Sequence, residues 1–309
     1  MSRSPFENLI RGFTVDQMKP HLRKLYEAGG GDNGGGAEVF KALDANALQI
    51  ILQDAEMVLV DRHGRVIPYK EKVNPVDAER RFHFGENPMV ILDALLLRLQ
   101  HFFPDYQFLP VEEFGRLYRQ IGEDIIANKQ TSNLLCGSFL PLCFPQYELH
   151  DYGLALDQVF VPAVKAAYEG MFPGMKFHDC NGTLANKVEV VDRTKHQVLI
   201  SRMAQGSVPA MYFPTAFQGW TRTDAQRAIR RFPNNYLLTG AIESSLALVA
   251  YPEYMASDFL TPGLDASALQ LGDDGMSLFY KAEKAGLFFH HRDNSRFGFY
   301  AGGMLVVGK

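Results

Sequence analysis

An imidazole, a carboxylate and a thiol fall within five residues at His178-Asp179-Cys180-Asn181-Gly182. A cysteine nucleophile needs a base that takes its proton or a neighbour that lowers its pKa. His178 and Cys180 are therefore candidate catalytic residues. Catalytic partners usually converge from distant segments, so a polar turn carrying a semi-buried thiol accounts for the same five residues.

A second group is cationic: Arg222, Arg227, Arg230 and Arg231, close behind the single tryptophan, Trp220. On a helix the last three stand at i, i+3 and i+4 and share a face. Guanidinium groups suit bidentate capture of carboxylate or phosphate. These four arginines and Trp220 are the candidate ligand-binding residues, with a solvated, salt-bridged face as the plain alternative. A third group, His290-His291-Arg292-Asp293, offers a general acid or a pH-sensitive group. If Leu287 to His291 is a strand, its adjacent histidines point to opposite faces and do not ligate one metal as a pair. Tyr212, Phe213, Phe217 and Trp220, with Phe279, Tyr280, Phe288, Phe289, Phe297, Phe299 and Tyr300, are expected to be mostly core, the rest lining a pocket or partner surface.

No metal site is expected. Cys136 and Cys143 lack C-x-x-C spacing and nearby histidine pairs, and read as buried inert thiols. Gly29, Gly31 and Gly34 formally satisfy G-x-G-x-x-G, but LRKLYEA before them reads as helix where a dinucleotide fold needs a strand, so a flexible loop is expected. No cofactor is assigned. The absence of G-x-S-x-G, H-E-x-x-H, a Walker A ending and an EF-hand loop removes the easily recognised serine hydrolases, zincins and P-loop NTPases.

These residues must be positioned by elements readable from pattern. The 309 residues are 47% hydrophobic and 21% charged, enough for one large domain or two ordinary ones. The formal charge of -4, without long runs, argues against general nucleic-acid binding. Three cysteines fit a reducing compartment. The opening MSRSPFENLI has no apolar signal core, and the run Met89 to Leu97, broken by Asp93, is about half a membrane span. A soluble, cytoplasmic protein is the expectation. Its oligomeric state is not assigned.

Residues 1–53 look helical, and Met57 to Lys70 reads as a hairpin turning at Arg62-His63-Gly64. Asn87-Pro88 is expected to start a helix over Met89 to Phe103, apolar on most sides and hence buried, followed by a second from Val111 to Asn128. Asp157 to Met171 is a helix restarted or kinked at Pro162. From Lys187 on, KVEVVD, QVLISRM, VPAMYFP, SLFYK, GLFFHH and FGFYAGGMLVVG read as short strands with tight turns. Val198 to Trp220 is expected to be two strands about a Gln205-Gly206-Ser207 turn. Thr223 to Gln226 has capping-box form, starting a helix that runs to about Phe232. Tyr236 to Ala250 fits both strand and helix.

The fold class is α+β: a helical N-terminal part with a hairpin, packed with a mainly antiparallel C-terminal sheet. Two parts are expected, 1–150 and 151–309. Two functions follow from the residues. One is binding of a small anionic ligand or a protein partner through the Arg222–Arg231 helix and the aromatic strands. The other is an enzyme outside the motif-bearing families, a hydrolase or transferase using Cys180 or one of His290 and His291.

Overall fold

The computed structural model describes residues 58–69, 82–272, 275–293 and 300–308. The expected helices of residues 1–53, the glycine tract, the Asp273-Asp274 turn, Phe297 and Phe299 lie outside them.

The fold is α+β. Its main sheet runs β1 (Leu140–Phe144), β4 (Val208–Gln218), β10 (Tyr300–Val307), β6 (Gly263–Asp265), β8 (Ser277–Glu283), β9 (Gly286–Arg292) and β2 (Lys176–Asp179), with β5 (Tyr236–Leu238) also paired to β10. Pairing is mostly antiparallel. Two contacts are parallel: β10 with β6 and β9 with β2. β3 (Val188–Val190) and β7 (Leu269–Leu271) form a separate antiparallel pair.

Strand alternation divides the core. Along β10, Leu305 and Val307 enter one apolar cluster while Met304 and Val306 enter another. Along β4, Ala210 and Tyr212 face the first, Met211 and Phe213 the second. A strand buried on both faces reads as a continuous apolar run, which is why VPAMYF and GGMLVV carry no polar alternation.

The first cluster is covered by helices α1 (Leu92–Phe102), α4 (Val161–Met171) and α7 (Ala241–Ala250). All ten residues of α7 are buried. Its apolar residues suit the interior, and its polar ones are bonded there: Glu243 to the Gly240 N–H, Ser244 to Tyr212 Oη and Ser245 to Tyr280 Oη. The second cluster is covered by α2 (Val111–Ala127), through Ile121 and Ile125, and by the turn of residues 58–69. Within that turn a single bridge joins Val60 and Val66, the Asp61 N–H donates to Arg65 O at 2.8 Å, and Gly64 takes a φ of 76°. Both clusters draw residues from either side of residue 150.

Several expectations are corrected. Val198 to Gln205 is not a strand but most of helix α5 (Gln197–Gln205), with Leu199, Ile200 and Met203 buried together. That spacing fits a period of 3.6, not 2. The strand after it, β4, is as expected. Helix α1 starts three residues later than Met89, which is 93% exposed, and Ile91 and Leu97 also face outward. The Asn87 side chain does not cap it; it bonds Gly137 O at 3.1 Å and the Phe139 N–H at 3.0 Å. Cys143 is buried as expected, but Cys136 is exposed.

Pro162 restarts a helix rather than breaking one. Helix α3 (Tyr152–Ala155) passes through a π-turn, Leu156–Phe160, into α4, which has proline in its first turn. Widening the turn accommodates a residue that has no N–H to donate. Residues 236–250 contain both elements in succession, β5 and then α7.

Candidate functional site

The sequence candidates land apart. β2 runs beside β9, placing His178 opposite Phe288, and the two rings stack at 4.5 Å. Cys180 follows the strand end, its N–H donating to Phe289 O at 2.9 Å. Its thiol is exposed and touches one polar group, the His178 carbonyl, at 3.9 Å. The histidines of β9 turn elsewhere. His290 lies flat over Phe279, centroids 5.9 Å apart, and His291 Nδ1 is 2.9 Å from Asn181 Oδ1. Burial, and then His290, lowers the His291 pKa.

The arginines diverge as well. Helix α6 (Arg222–Ala228) is capped by Thr221, whose hydroxyl accepts the Asp224 N–H at 3.0 Å, two residues before the expected cap. It tightens at Ile229–Arg231 into a 3-10 turn, so the expected continuous arginine face does not form. Arg222 is buried, Nη1 donating to Met276 O at 3.0 Å. Arg231 reaches Ile67 O at 3.0 Å. Arg227 pairs with Asp224 at 3.3 Å while 63% exposed, and Arg230 is exposed. Trp220 is buried, edge-on to Phe217.

Arg222 feels the charge of one group the sequence did not single out, Asp265. Asp265 is buried, accepting from Arg292 Nη2 at 2.5 Å and from Ser277 Oγ at 2.6 Å. Arg292 also covers the Tyr300 ring at 4.2 Å. Burial pushes the Tyr300 hydroxyl up to about 12, with Arg292 pulling it down and Asp265 and Glu283 pushing it up. The Asp265 carboxylate bonds Ser277 and Arg292, an arrangement that secures β6 to β8 and β9.

Two cavities that share Phe82 lie elsewhere. One, of about 610 Å³, is walled by the turn residues His63 and Arg65, by residues 82–87, by Cys136, Gly137 and Ser138, and by Thr215 and Gln218 of β4. The other, of about 420 Å³, is lined by Phe82, Phe259 and residues 281–285. Together their walls present Arg65, Lys281, Lys284, His63 and His83 against the carboxylates of Glu86 and Glu283. Asp61, behind Arg65 at 3.5 Å, offsets part of that charge.

Lys281 is the most constrained of these groups. Its Nζ donates to Phe259 O at 2.7 Å and to Thr261 O, and sits 5.3 Å from the Phe82 ring centre. Burial lowers its pKa to about 8, against the opposing pull of Glu283 and Asp258. Phe82, His83 and Lys281 gave no sequence signal. They belong to loops and a strand far apart in the chain, and a lysine on one strand face with Phe279 and Glu283 looks like any outward strand residue.

A second ionisable group is sealed inside. His196 and Glu243 are fully buried, with Nδ1 and Oε1 3.0 Å apart. The other Glu243 oxygen accepts the Gly240 N–H at 3.1 Å at the start of α7, and Tyr152 Oη accepts the Ile242 N–H at 3.2 Å. Gly240 is required there: a Cβ would stand 2.4 Å from Tyr152 Oη.

Among the described residues no group of three or more His, Cys, Asp or Glu is placed to hold a metal, and no helix is long and apolar enough to cross a membrane. The chain matches no protein-family model, no curated protein and no solved structure.

Proposed function

We propose that the protein binds a small anionic molecule bearing a planar apolar portion, in the paired cavities on either side of Phe82. The observation that carries this reading is the composition of those walls: phenyl rings from Phe82, Phe84 and Phe259 beside Arg65, Lys281, Lys284 and two histidines. Ligand sites are typically concave, roughly 300–1,000 Å³, and apolar with a few charged groups that set orientation. Each cavity lies in that range. Guanidinium and ammonium groups supply attraction for carboxylate or phosphate, and ring faces stack on a planar body.

Cys180 chemistry has less support, because the thiol contacts a carbonyl and none of His178, His290 or His291 is hydrogen-bonded to it.

The test is a calorimetric titration with a panel of aromatic carboxylates and aryl phosphates. One or more should bind, and the double variant Arg65→Ala/Lys284→Ala should weaken that binding by about tenfold, or about 1.4 kcal/mol. Binding that survives the double variant unchanged, or a panel with no binder, removes the reading.

A further inference from the structure

We infer that Lys281 is a covalent ligand site: its ε-amine condenses with an aromatic aldehyde or ketone held between Phe82 and Phe259. The inference rests on the proposed binding site only for the choice of carbonyl compound.

The geometry comes first. A neutral amine has two N–H bonds and one lone pair, whereas an ammonium has three N–H bonds. Two carbonyls, Phe259 O and Thr261 O, take hydrogen bonds from Nζ. They satisfy both N–H bonds of a neutral amine, while an ammonium's third has only the Phe82 ring, 5.3 Å away, beside it. The residue that carries this nitrogen lines the 420 Å³ cavity, whose remaining walls are Phe82, Phe259, Ala282, Glu283, Lys284 and Ala285. Phenyl groups on two sides suit an aryl carbonyl compound.

The electrostatics agree. Lysine nucleophiles are activated by desolvation. Here burial outweighs the combined attraction of Glu283 and Asp258, and the amine is held at about 8 in place of 10.5. At neutral pH such an amine is neutral on the order of a hundred times more often than an ordinary lysine. Lys284, also on the cavity wall but exposed, sits over the opposite phenyl at 6.0 Å and provides an internal control.

The step balances without an added oxidant or reductant. The nitrogen lone pair attacks the carbonyl carbon and a proton passes from nitrogen to oxygen, giving a carbinolamine. Loss of water then leaves the C=N bond.

The experiment uses the full chain, para-carboxybenzaldehyde and cyanoborohydride, which reduces the imine to a stable secondary amine. Peptide mass mapping should place the adduct on Lys281 about tenfold ahead of Lys284, once the weaker nucleophilicity of a less basic amine is allowed for. Acylation of Lys281 by a water-soluble ester should rise with pH to a midpoint near 8. Lys281→Arg keeps donors for both carbonyls and should lose the adduct with its thermal transition retained. Labelling of Lys281 no faster than Lys284, or only after unfolding in urea, overturns the inference; the native wild-type map decides this even if the variant does not fold. Reversible binding of para-carboxybenzoate without an adduct removes the imine chemistry and leaves the anion site. An adduct without such binding does the reverse.

Discussion

Two of the places where this molecule buries ionisable side chains are built in opposite ways. At the start of α7, His196 and Glu243 face each other with no exposed surface, and Gly240 closes the space around them. At the end of β8, Lys281 has two backbone carbonyls for partners and a cavity at its side. In the first group His196 Nδ1 approaches Glu243 Oε1 to 3.0 Å without hydrogen-bond geometry, and the other Glu243 oxygen accepts the Gly240 N–H. The second is held by dipoles without a directly bonded counter-charge. Removing one member of a buried polar pair leaves the other buried without its neighbour, which is costly. A buried cation beside open space, with its pKa drawn toward neutrality, is the arrangement that chemistry uses.

The largest expected effect sharpens the sealed side. Glu243→Ala removes the partner of His196 and the acceptor for the Gly240 N–H together, and should cost about 3–5 kcal/mol in urea denaturation. A loss below about 1 kcal/mol would mean that the pair does not lock α7 in place.

The next effect belongs to Lys281. Its folded-state pKa lies below its unfolded value, so the unfolded chain binds more protons as pH rises from about 8 toward 10.5. The destabilisation is therefore complete below about 8 and relieved above it. Stability of the wild type should climb relative to Lys281→Met across that window. Taking the difference between the two proteins cancels the contributions of Lys195, also lowered by burial, and of the buried tyrosines, which titrate upward. Parallel stability curves would place the Lys281 amine in water.

The smallest effect is at Cys180. Cys180→Ser should shift stability by less than about 0.5 kcal/mol, as an exposed residue with one weak contact does. A larger change would return the thiol to consideration.

Legibility followed periodicity. The stripe Phe114, Ile121 and Ile125 marked α2, and the strands β4, β8, β9 and β10 were readable as apolar runs between turns. Where period is lost, so is the reading. Val198-Leu199-Ile200 is apolar with two β-branched residues, and favours strand until Met203 is counted at the helical interval. Helix α7 buries Glu243, Ser244 and Ser245 along with its apolar residues, so no polar face repeats and both templates fit. The candidate cavities were hidden for another reason. Arg65, His83, Cys136, Thr215 and Lys281 come together only through the folded chain, and none carries a local spacing rule. The arginine group shows the converse: a regular spacing in the chain, divided in space because α6 is too short to present it.

β10 has a temporal implication. It lies between β4 and β6, which the ribosome makes earlier, and it also supplies the edge to which β5 pairs. Three completed segments must wait, with unpaired N–H and C=O groups on offer, for the strand that joins them. During that interval they are open to capture by other chains, so nascent protein should depend on shielding by chaperones until this late insertion takes place.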